Sequence, residues 1–191
     1  ILDIADLTVD GTLCTGGAVC IMMMQSGHNV WVSLLVALIA GLLAGMVTGL
    51  LHTFMGIPAI LAGILTQLGL YSVNLKIMGK SNQAINVDKF DLLVSLRYIK
   101  NVPIYRNTIL LVAVIIVVLI AFLYWFFGTE LGCSLRATGC NDRMSRAQGI
   151  NTDFNRVLGL MISNGLVAFS GALLSQYQGF ADINMGDRKS V

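Results

Sequence analysis

Charged residues are scarce in this chain and are missing from three long stretches. Only 12% of the 191 residues are charged, whereas a soluble globular domain has about 25%. Asp, Glu, Lys and Arg do not occur in 11–75, 107–129 or 157–181. A single such residue at the centre of a bilayer costs about 2.5–3.5 kcal/mol on the insertion scale. Charge-free stretches of this length therefore exclude an ordinary soluble domain and indicate a membrane protein.

Cysteine and histidine are also few, and their spacing argues against a metal site. The four cysteines include no CxxC pair, and neither of the two histidines stands near them at zinc-ligand spacing. The sequence thus predicts neither a bound metal nor a cofactor. The formal net charge of +2 comes from residues confined to loops, and it gives nucleic-acid binding no support.

What the chain does contain is long apolar runs. Hydrophobic residues make up 56% of it, and a hydrocarbon layer about 30 Å thick needs roughly 20 helical residues to cross. The runs predict an all-α polytopic membrane protein with about five transmembrane helices. Their expected positions are 11–26, 30–52, 58–78, 107–128 and 157–177. The first is the weakest helix of the five because it is rich in glycine.

The second expected span carries a face of small residues. Its segment GLLAGMVTG places Gly41, Gly45 and Gly49 on one side of the helix. Lipid gives helices no hydrophobic reason to associate, so small residues let backbones approach and gain dispersion contacts. We expect these glycines to pack against another helix in a compact bundle.

Two amphipathic segments are expected between the spans. In 88–100, apolar residues recur at helical spacing before Pro103, which predicts an interfacial helix. The second segment is LRATGCNDRMSRAQGI, at 135–150, where Asn141 or Asp142 can cap a two-turn helix that Gly149 ends. A helix this short is unstable alone in water. It is therefore either part of a solvated basic connector or docked on another surface.

Polar side chains inside the spans are costly and face either a helix interface or a water path. Five of them are candidates for the translocation path or for hydrogen bonds between helices, the second role being favoured for each taken singly. They are Gln67, Asn74, Ser163, Asn164 and Gln176.

Two groups of residues resemble parts of enzymatic sites, and both are incomplete. Asp3, Asp6 and Asp10 could hold magnesium in a membrane transferase, but no further acid or Arg cluster within the spans completes such a site. The string NLKIMGKS at 74–81 ends like a P-loop but has Asn74 where the first glycine is required. We therefore expect neither enzymatic activity nor ATP binding by this chain itself.

Four segments of the chain carry a resemblance to a known family. They are ADLTVDGTLCTGGAV at 5–19, GLLHTFMGIPAILAGILTQLGLYSVNLKIMG at 49–79, SLRATGCNDRMSRAQGI at 134–150 and SNGLVAFSGALLSQYQGFADINMG at 163–186. Together they resemble the permease subunit of a bacterial ABC importer, in the branched-chain amino-acid and sugar permease superfamily. Within the superfamily they are most similar to amino-acid permeases paired with a tryptophan- or tyrosine-type binding protein. The resemblance covers nearly the whole chain to Gly186.

The resemblance implies what the segment 134–150 does. In such permeases the matching loop is cytoplasmic and carries a coupling helix that sits in a groove on a separate ATPase subunit. Carried over, the coupling residues are Arg136, Gly139, Asn141, Asp142, Arg143, Met144, Arg146, Ala147 and Gly149. Segments 53–57 and 129–156 would then lie inside the cell, and 27–29 and 79–106 outside.

The resemblance also implies partners and a location. The expected partners are a cytoplasmic ATP-binding subunit, an extracytoplasmic solute-binding protein, a second permease copy and membrane lipid, in the bacterial cytoplasmic (inner) membrane. Residues 1–191 would form one permease domain that is truncated at both ends, with 187–191 departing from the family pattern. The alternative is a secondary transporter or channel that works without an ATPase, which the charge-free spans disfavour.

Overall fold

The computed structural model describes residues 5–84, 108–183, 185 and 186. The expected interfacial helix at 88–100 and the end segment 187–191 lie outside them. The described residues form seven helices and two short strands. These are α1 Thr8–Gln25, α2 Val30–Phe54, α3 Ala59–Met78, β1 Asn82–Ala84, α4 Thr108–Gly128, α5 Glu130–Cys140, α6 Asp142–Ala147, α7 Thr152–Gln178 and β2 Phe180–Asp182.

The five expected spans coincide with α1, α2, α3, α4 and α7, and the all-α polytopic fold is confirmed. Within the described part of the chain, α2, α3, α4 and α7 are long and apolar enough to cross a membrane. The helix α1 has 18 residues, including Asp10 and several threonines and glycines. It is therefore less apolar than the four helices named above and is not counted with them. That α1 also crosses stays a prediction.

Three helices form the centre of the bundle. The helix α1 runs parallel to α7, since Thr12 contacts Asn164 and, farther along both helices, Cys20 contacts Gln176. The helix α2 runs antiparallel to both, and α3 packs against α1 and α2. Most of α1 is buried in this arrangement, so its polar side chains meet other helices rather than lipid.

The glycine face of α2 lies against α7. A Cβ built on Gly41 would stand 2.6 Å from the carbonyl oxygen of Asn164, and one on Gly49 would stand 2.9 Å from Cα of Val157. Real Cβ atoms essentially never approach other atoms that closely. The two backbones are therefore in direct contact, an arrangement that only glycine permits at these positions.

The strands close one end of the bundle. They pair antiparallel, with Asn82 opposite Asp182 and Ala84 opposite Phe180. The side-chain amide of Gln83 donates to Oε1 of Gln25 at 3.1 Å, which joins the strands to the end of α1. Buried Ile21, Met24 and Leu34 form the hydrophobic core below this cap.

The helix α4 stands apart from this core. No residue in its apolar stretch 110–128 is buried inside the structure. Tyr124 and Trp125 are 84% and 66% exposed near its C-terminal end, where aromatic rings suit the boundary between lipid and water. The surface of α4 is thus suited to lipid or to another apolar helix.

The loops separate into two groups, one at each end of the bundle. Thr53 and Phe54 share a cleft with Asn151 and Asp153, so segment 53–57 lies at the same end as 129–156. Residues 25–29 lie at the opposite end with β1 and β2. This relative placement is the one expected from the sequence.

Candidate functional site

The segment 129–156 folds into α5, α6 and the first turn of α7, and each helix has its own capping side chain. Thr129 Oγ1 accepts from the backbone N–H of Gly132 at 3.4 Å. Asn141 Oδ1 accepts from Met144 N at 3.1 Å, and Asn151 Oδ1 accepts from Phe154 N at 3.1 Å. Because each cap satisfies a donor that the first turn leaves free, the chain changes direction at defined residues.

The expected short helix is α6, and Asn141 rather than Asp142 caps it. Gly149 follows the helix with φ +82°, a backbone conformation that residues with a Cβ rarely adopt. Gly139, one of the coupling residues implied by the resemblance, lies outside α6, within the last turn of α5. The break there falls at Asn141, whose extended backbone separates the two helices.

The helix α6 presents one face to solvent and another to its own domain. Arg143, Met144 and Ala147 are exposed, Met144 to 59%. Ser145 is 3% exposed, and its hydroxyl donates to the carbonyl oxygen of Asn141 at 3.0 Å. The helix is therefore docked on its own domain and leaves two apolar side chains and an Arg free for another surface.

Two of the arginines predicted for ATPase contact bind within the chain. Arg146 donates from Nε to Thr152 Oγ1 at 2.7 Å and from Nη2 to Asp153 Oδ1 at 2.9 Å, although its side chain remains 54% exposed. Arg136 donates to the carbonyl oxygen of Phe127 at 3.1 Å, one of the last carbonyls of α4. Arg143 makes no ion pair with any residue that the structure describes.

Three of the five polar residues predicted within spans are buried and join helices. Asn164 Oδ1 accepts from the hydroxyl of Thr12 at 2.9 Å. The amide of Asn74 donates to Thr15 Oγ1 at 3.1 Å. The amide of Gln176 donates to Sγ of Cys20 at 3.2 Å. All three contacts end on α1, so these amides hold α1 to α3 and α7.

The other two polar residues lie differently. Gln67 is half-buried beside Gly11, whose added Cβ would stand 3.2 Å from Cα of Gln67. Ser163 is exposed on the surface of α7. Within the described part of the chain, neither takes part in the polar contacts that hold α1.

The polar side of α1 was not anticipated from the sequence. Thr8, Thr12 and Thr15 follow one another at helical spacing, and the hydroxyl of Thr8 meets that of Thr48 at 3.1 Å. The signal was present in the segment TVDGTLCT, where threonines recur every three or four residues. Such spacing places them along one side of the helix, toward neighbours that only the fold supplies.

Asp6 also takes a position that the sequence did not reveal. Its Oδ2 accepts from the amide of Asn164 at 2.6 Å, and its Oδ1 accepts from Thr8 N at 2.9 Å. Asn164 stands eight residues beyond Arg156 on α7, about 12 Å along the helix axis. A carboxylate is thus brought inside the bundle, although it lies outside the charge-free stretches.

The carboxylates do not assemble a metal site in the part of the chain that is described. No group of three or more His, Cys, Asp or Glu side chains is placed there to hold an ion. Asp3, the third member of the cluster considered in the sequence, lies outside the described residues.

The apolar helices, the close α2–α7 contact and the internal amide and hydroxyl contacts define a multi-pass helical protein of the membrane. Comparison with known families makes the class specific. The chain belongs to the family described as branched-chain amino acid transport system / permease component, which matches residues 1–190. The resemblance seen in the sequence is confirmed, and so is the expected location as a multi-pass protein of the inner membrane.

Curated relatives place the chain among transport permeases. It is 39% identical over 97% of its length to a tyrosine transport system permease protein of Clostridioides difficile, covering 60% of that protein. It is 40% identical, again over 97% of its length, to an uncharacterised protein of Rickettsia prowazekii, covering 63%. A fructose import permease protein of Bifidobacterium longum is 31% identical over 87% of the chain, which covers 46% of it.

The chain thus spans about 60% of the length of the first two of these relatives. No solved structure gives a significant match.

Proposed function

We propose that this chain contributes the permease subunit of an ATP-driven importer, which forms the solute path and is driven by a separate ATPase. Family membership supports the role, and the tyrosine transport relative supports an amino acid as the solute. The fructose import relative offers a sugar as the alternative class of solute. The subunit itself conducts and gates, performs no bond chemistry and needs no cofactor.

The observation that carries this proposal is the exposed face of α6. Met144 and Ala147 stand three residues apart on the helix and are both exposed, so they lie close together on its surface. Arg143 is exposed beside them. A small apolar patch next to a cation suits a shallow groove with an acidic rim on a partner protein. A connector that is only solvated would need no apolar patch.

The orientation of the chain in the membrane follows from the proposed contact between α6 and a cytoplasmic ATPase. With α6 in the cytoplasm, segment 53–57 is also cytoplasmic, while β1, β2 and residues 25–29 face outward toward a solute-binding protein. A second permease copy and lipid then cover the apolar helices. For the solute path we favour Gln67 and Ser163, because Asn74, Asn164 and Gln176 are engaged between helices.

One observation favours the alternative of a secondary transporter. Asp6 places a carboxylate on Asn164 inside the bundle, and transporters without an ATPase use ionisable groups within the membrane for coupling. The carboxylate also accepts from the backbone N–H of Thr8, the first residue of α1, so its two contacts equally fit a structural role that joins the start of α1 to α7. The two functions are separated by whether an ATPase is required.

The test is recovery of the ATPase with the permease. The full-length permease is expressed with the ATPase encoded beside it and purified through a tag on the permease. We expect Ala147→Glu, which places a charge on the apolar patch, to lose the ATPase. Cys133→Glu adds the same charge at an exposed position of α5 and should retain it.

If the unaltered permease retains no ATPase yet moves solute in liposomes, the importer proposal is wrong and the secondary transporter replaces it. If the unaltered permease and both variants retain the ATPase equally, the patch on α6 is not the contact.

A further inference from the structure

Four charged side chains join α6 to the beginning of α7. Arg156 Nη2 lies 3.1 Å from Asp142 Oδ2, and Arg146 Nε lies 3.5 Å from the same oxygen. Arg146 also pairs with Asp153 at 2.9 Å. Asp142 and Arg146 belong to α6, and Asp153 and Arg156 to α7, so the four side chains form one cluster across the junction.

The pair of Asp142 and Arg156 is the most protected part of this cluster. Their side chains are 32% and 28% exposed, whereas those of Asp153 and Arg146 are 50% and 54% exposed. Ion pairs in the open solvent contribute little because water screens them and their side chains lose freedom. The half-buried pair therefore contributes most to holding the two helices together.

The covalent link between α6 and α7 is flexible by itself. Only residues 148–151 separate α6 from α7, and Gly149 in the middle has φ +82°. Glycine loses more freedom on ordering than any other residue, so it gives this link little stiffness of its own. Backbone hydrogen bonds hold the turn as far as Ile150, and side-chain contacts across the junction supply the remaining rigidity.

A second contact fixes α5 to the same turn of α7. The amide of Asn155 donates to Ser134 Oγ at 2.6 Å and to Thr138 Oγ1 at 2.8 Å. Asn155 is 4% exposed, and it is adjacent in sequence to Arg156. The helix α7 thus holds α5 through one residue and α6 through the next.

From this turn, α7 continues into the centre of the bundle. A Cβ on Gly49 would lie 2.9 Å from Cα of Val157, the residue that follows Arg156. Farther along, Asn164 and Ala168 meet α1. A displacement of α6 that is carried to Arg156 therefore reaches α2 and α1 through direct backbone contact, because close-packed helices transmit strain.

We propose that Arg156 and Asp142 are positioning residues that make α6 move as one body with α7. In this role they carry the movement of the ATPase to the spans. This inference rests on the proposed function, since it assumes that an ATPase docks on α6. It predicts that breaking the pair separates ATP hydrolysis from transport while leaving the assembly intact.

The experiment uses the full-length permease, its ATPase and its solute-binding protein in liposomes, with tyrosine as the probe solute. The variant Arg156→Gln should co-purify with its ATPase to within twofold of the unaltered protein and should hydrolyse ATP at a similar rate. Tyrosine moved per ATP hydrolysed should fall at least tenfold. Lys76→Gln, which removes an exposed cation from α3 at the far end, should leave this ratio unchanged.

Two further variants protect the test against misfolding. Arg156→Lys keeps the charge and should recover most of the tyrosine moved per ATP hydrolysed. A purely steric role of the Arg156 side chain would not predict this recovery. Asp142→Asn combined with Arg156→Gln removes both charges, so that no half-buried charge is left without its partner. This double variant should fold and should be as uncoupled as Arg156→Gln.

The two proposals fail in different ways. If the unaltered permease retains no ATPase, the proposed function is wrong and the inference is wrong with it. If it retains the ATPase and the folded double variant transports the same tyrosine per ATP as the unaltered protein, the inference alone is wrong.

Discussion

Replacing Gly45 by alanine tests how closely α2 and α7 are packed. A Cβ at this position would lie 2.8 Å from Cα of Met161, about 0.6 Å closer than ordinary contact allows, and closer still to the carbonyl oxygen of Leu160. The helices must therefore separate, and a gap of about 0.5–1 Å forfeits about a quarter to a half of each dispersion contact. Overpacking of this kind costs about 1–3 kcal/mol.

The matched control is Gly69→Ala, since both glycines lie inside helices predicted to span. Nothing lies within 4 Å of a Cβ built on Gly69, and replacing a helical glycine with alanine stabilises a helix by about 0.5–1 kcal/mol. We expect Gly45→Ala to melt several degrees below the unaltered permease in detergent and Gly69→Ala to melt at or above it. Equal melting temperatures for the two variants would refute the close packing of α2 on α7.

Two further predictions concern hydrogen bonds. Asn164→Ala leaves Thr12 and Asp6 without a shared partner and should lower stability by about 1–3 kcal/mol, measured as thermal unfolding in detergent. Exposed Ser163→Ala is its control, and an equal effect of both would contradict the role of Asn164. Asn141→Ala removes the cap of α6, at a cost of about 0.5–2 kcal/mol, and should speed amide hydrogen exchange in 142–148. Unchanged exchange there would show that the cap does not hold the helix.

The helices were predictable from the sequence because their signal is local. Lipid excludes charge all along a span, so the charge-free stretch 107–129 is enough to locate α4. The same rule set the start of the last span at 157, five residues after α7 begins at Thr152. The first turn of α7 projects beyond the apolar part of the helix, and Asp153 and Arg156 on it bind α6 instead of entering lipid.

The contacts of single polar side chains were less predictable because they depend on partners distant in the sequence. Thr12 and Asn164 are 152 residues apart and share a hydrogen bond. Neither residue's own surroundings in the sequence identify the other. The glycine face of α2 was predictable as a packing face, but only the fold shows that α7 covers it.

The arginines show the same limit at shorter range. In the sequence analysis Arg143 and Arg146 both belong to the coupling residues, with no difference between their roles. In the structure Arg146 binds Thr152 and Asp153, while Arg143 is exposed. Their difference arises from the turn at Gly149, which brings the start of α7 beside one arginine and not the other.

Stability and transmission depend on different contacts of the same helix. The middle of α7 is held by backbone approach at Gly41 and Gly45, and no change in charge alters that contact. Its first turn is held to α6 by a partly buried ion pair, and replacing both partners leaves no charge unpaired there. Gly45→Ala should therefore lower the melting temperature, whereas Asp142→Asn combined with Arg156→Gln should leave it nearly unchanged and reduce transport per ATP. If the two variants affected both quantities in the same proportion, the cluster would be an ordinary part of the packing, and α6 would not depend on it to move α7.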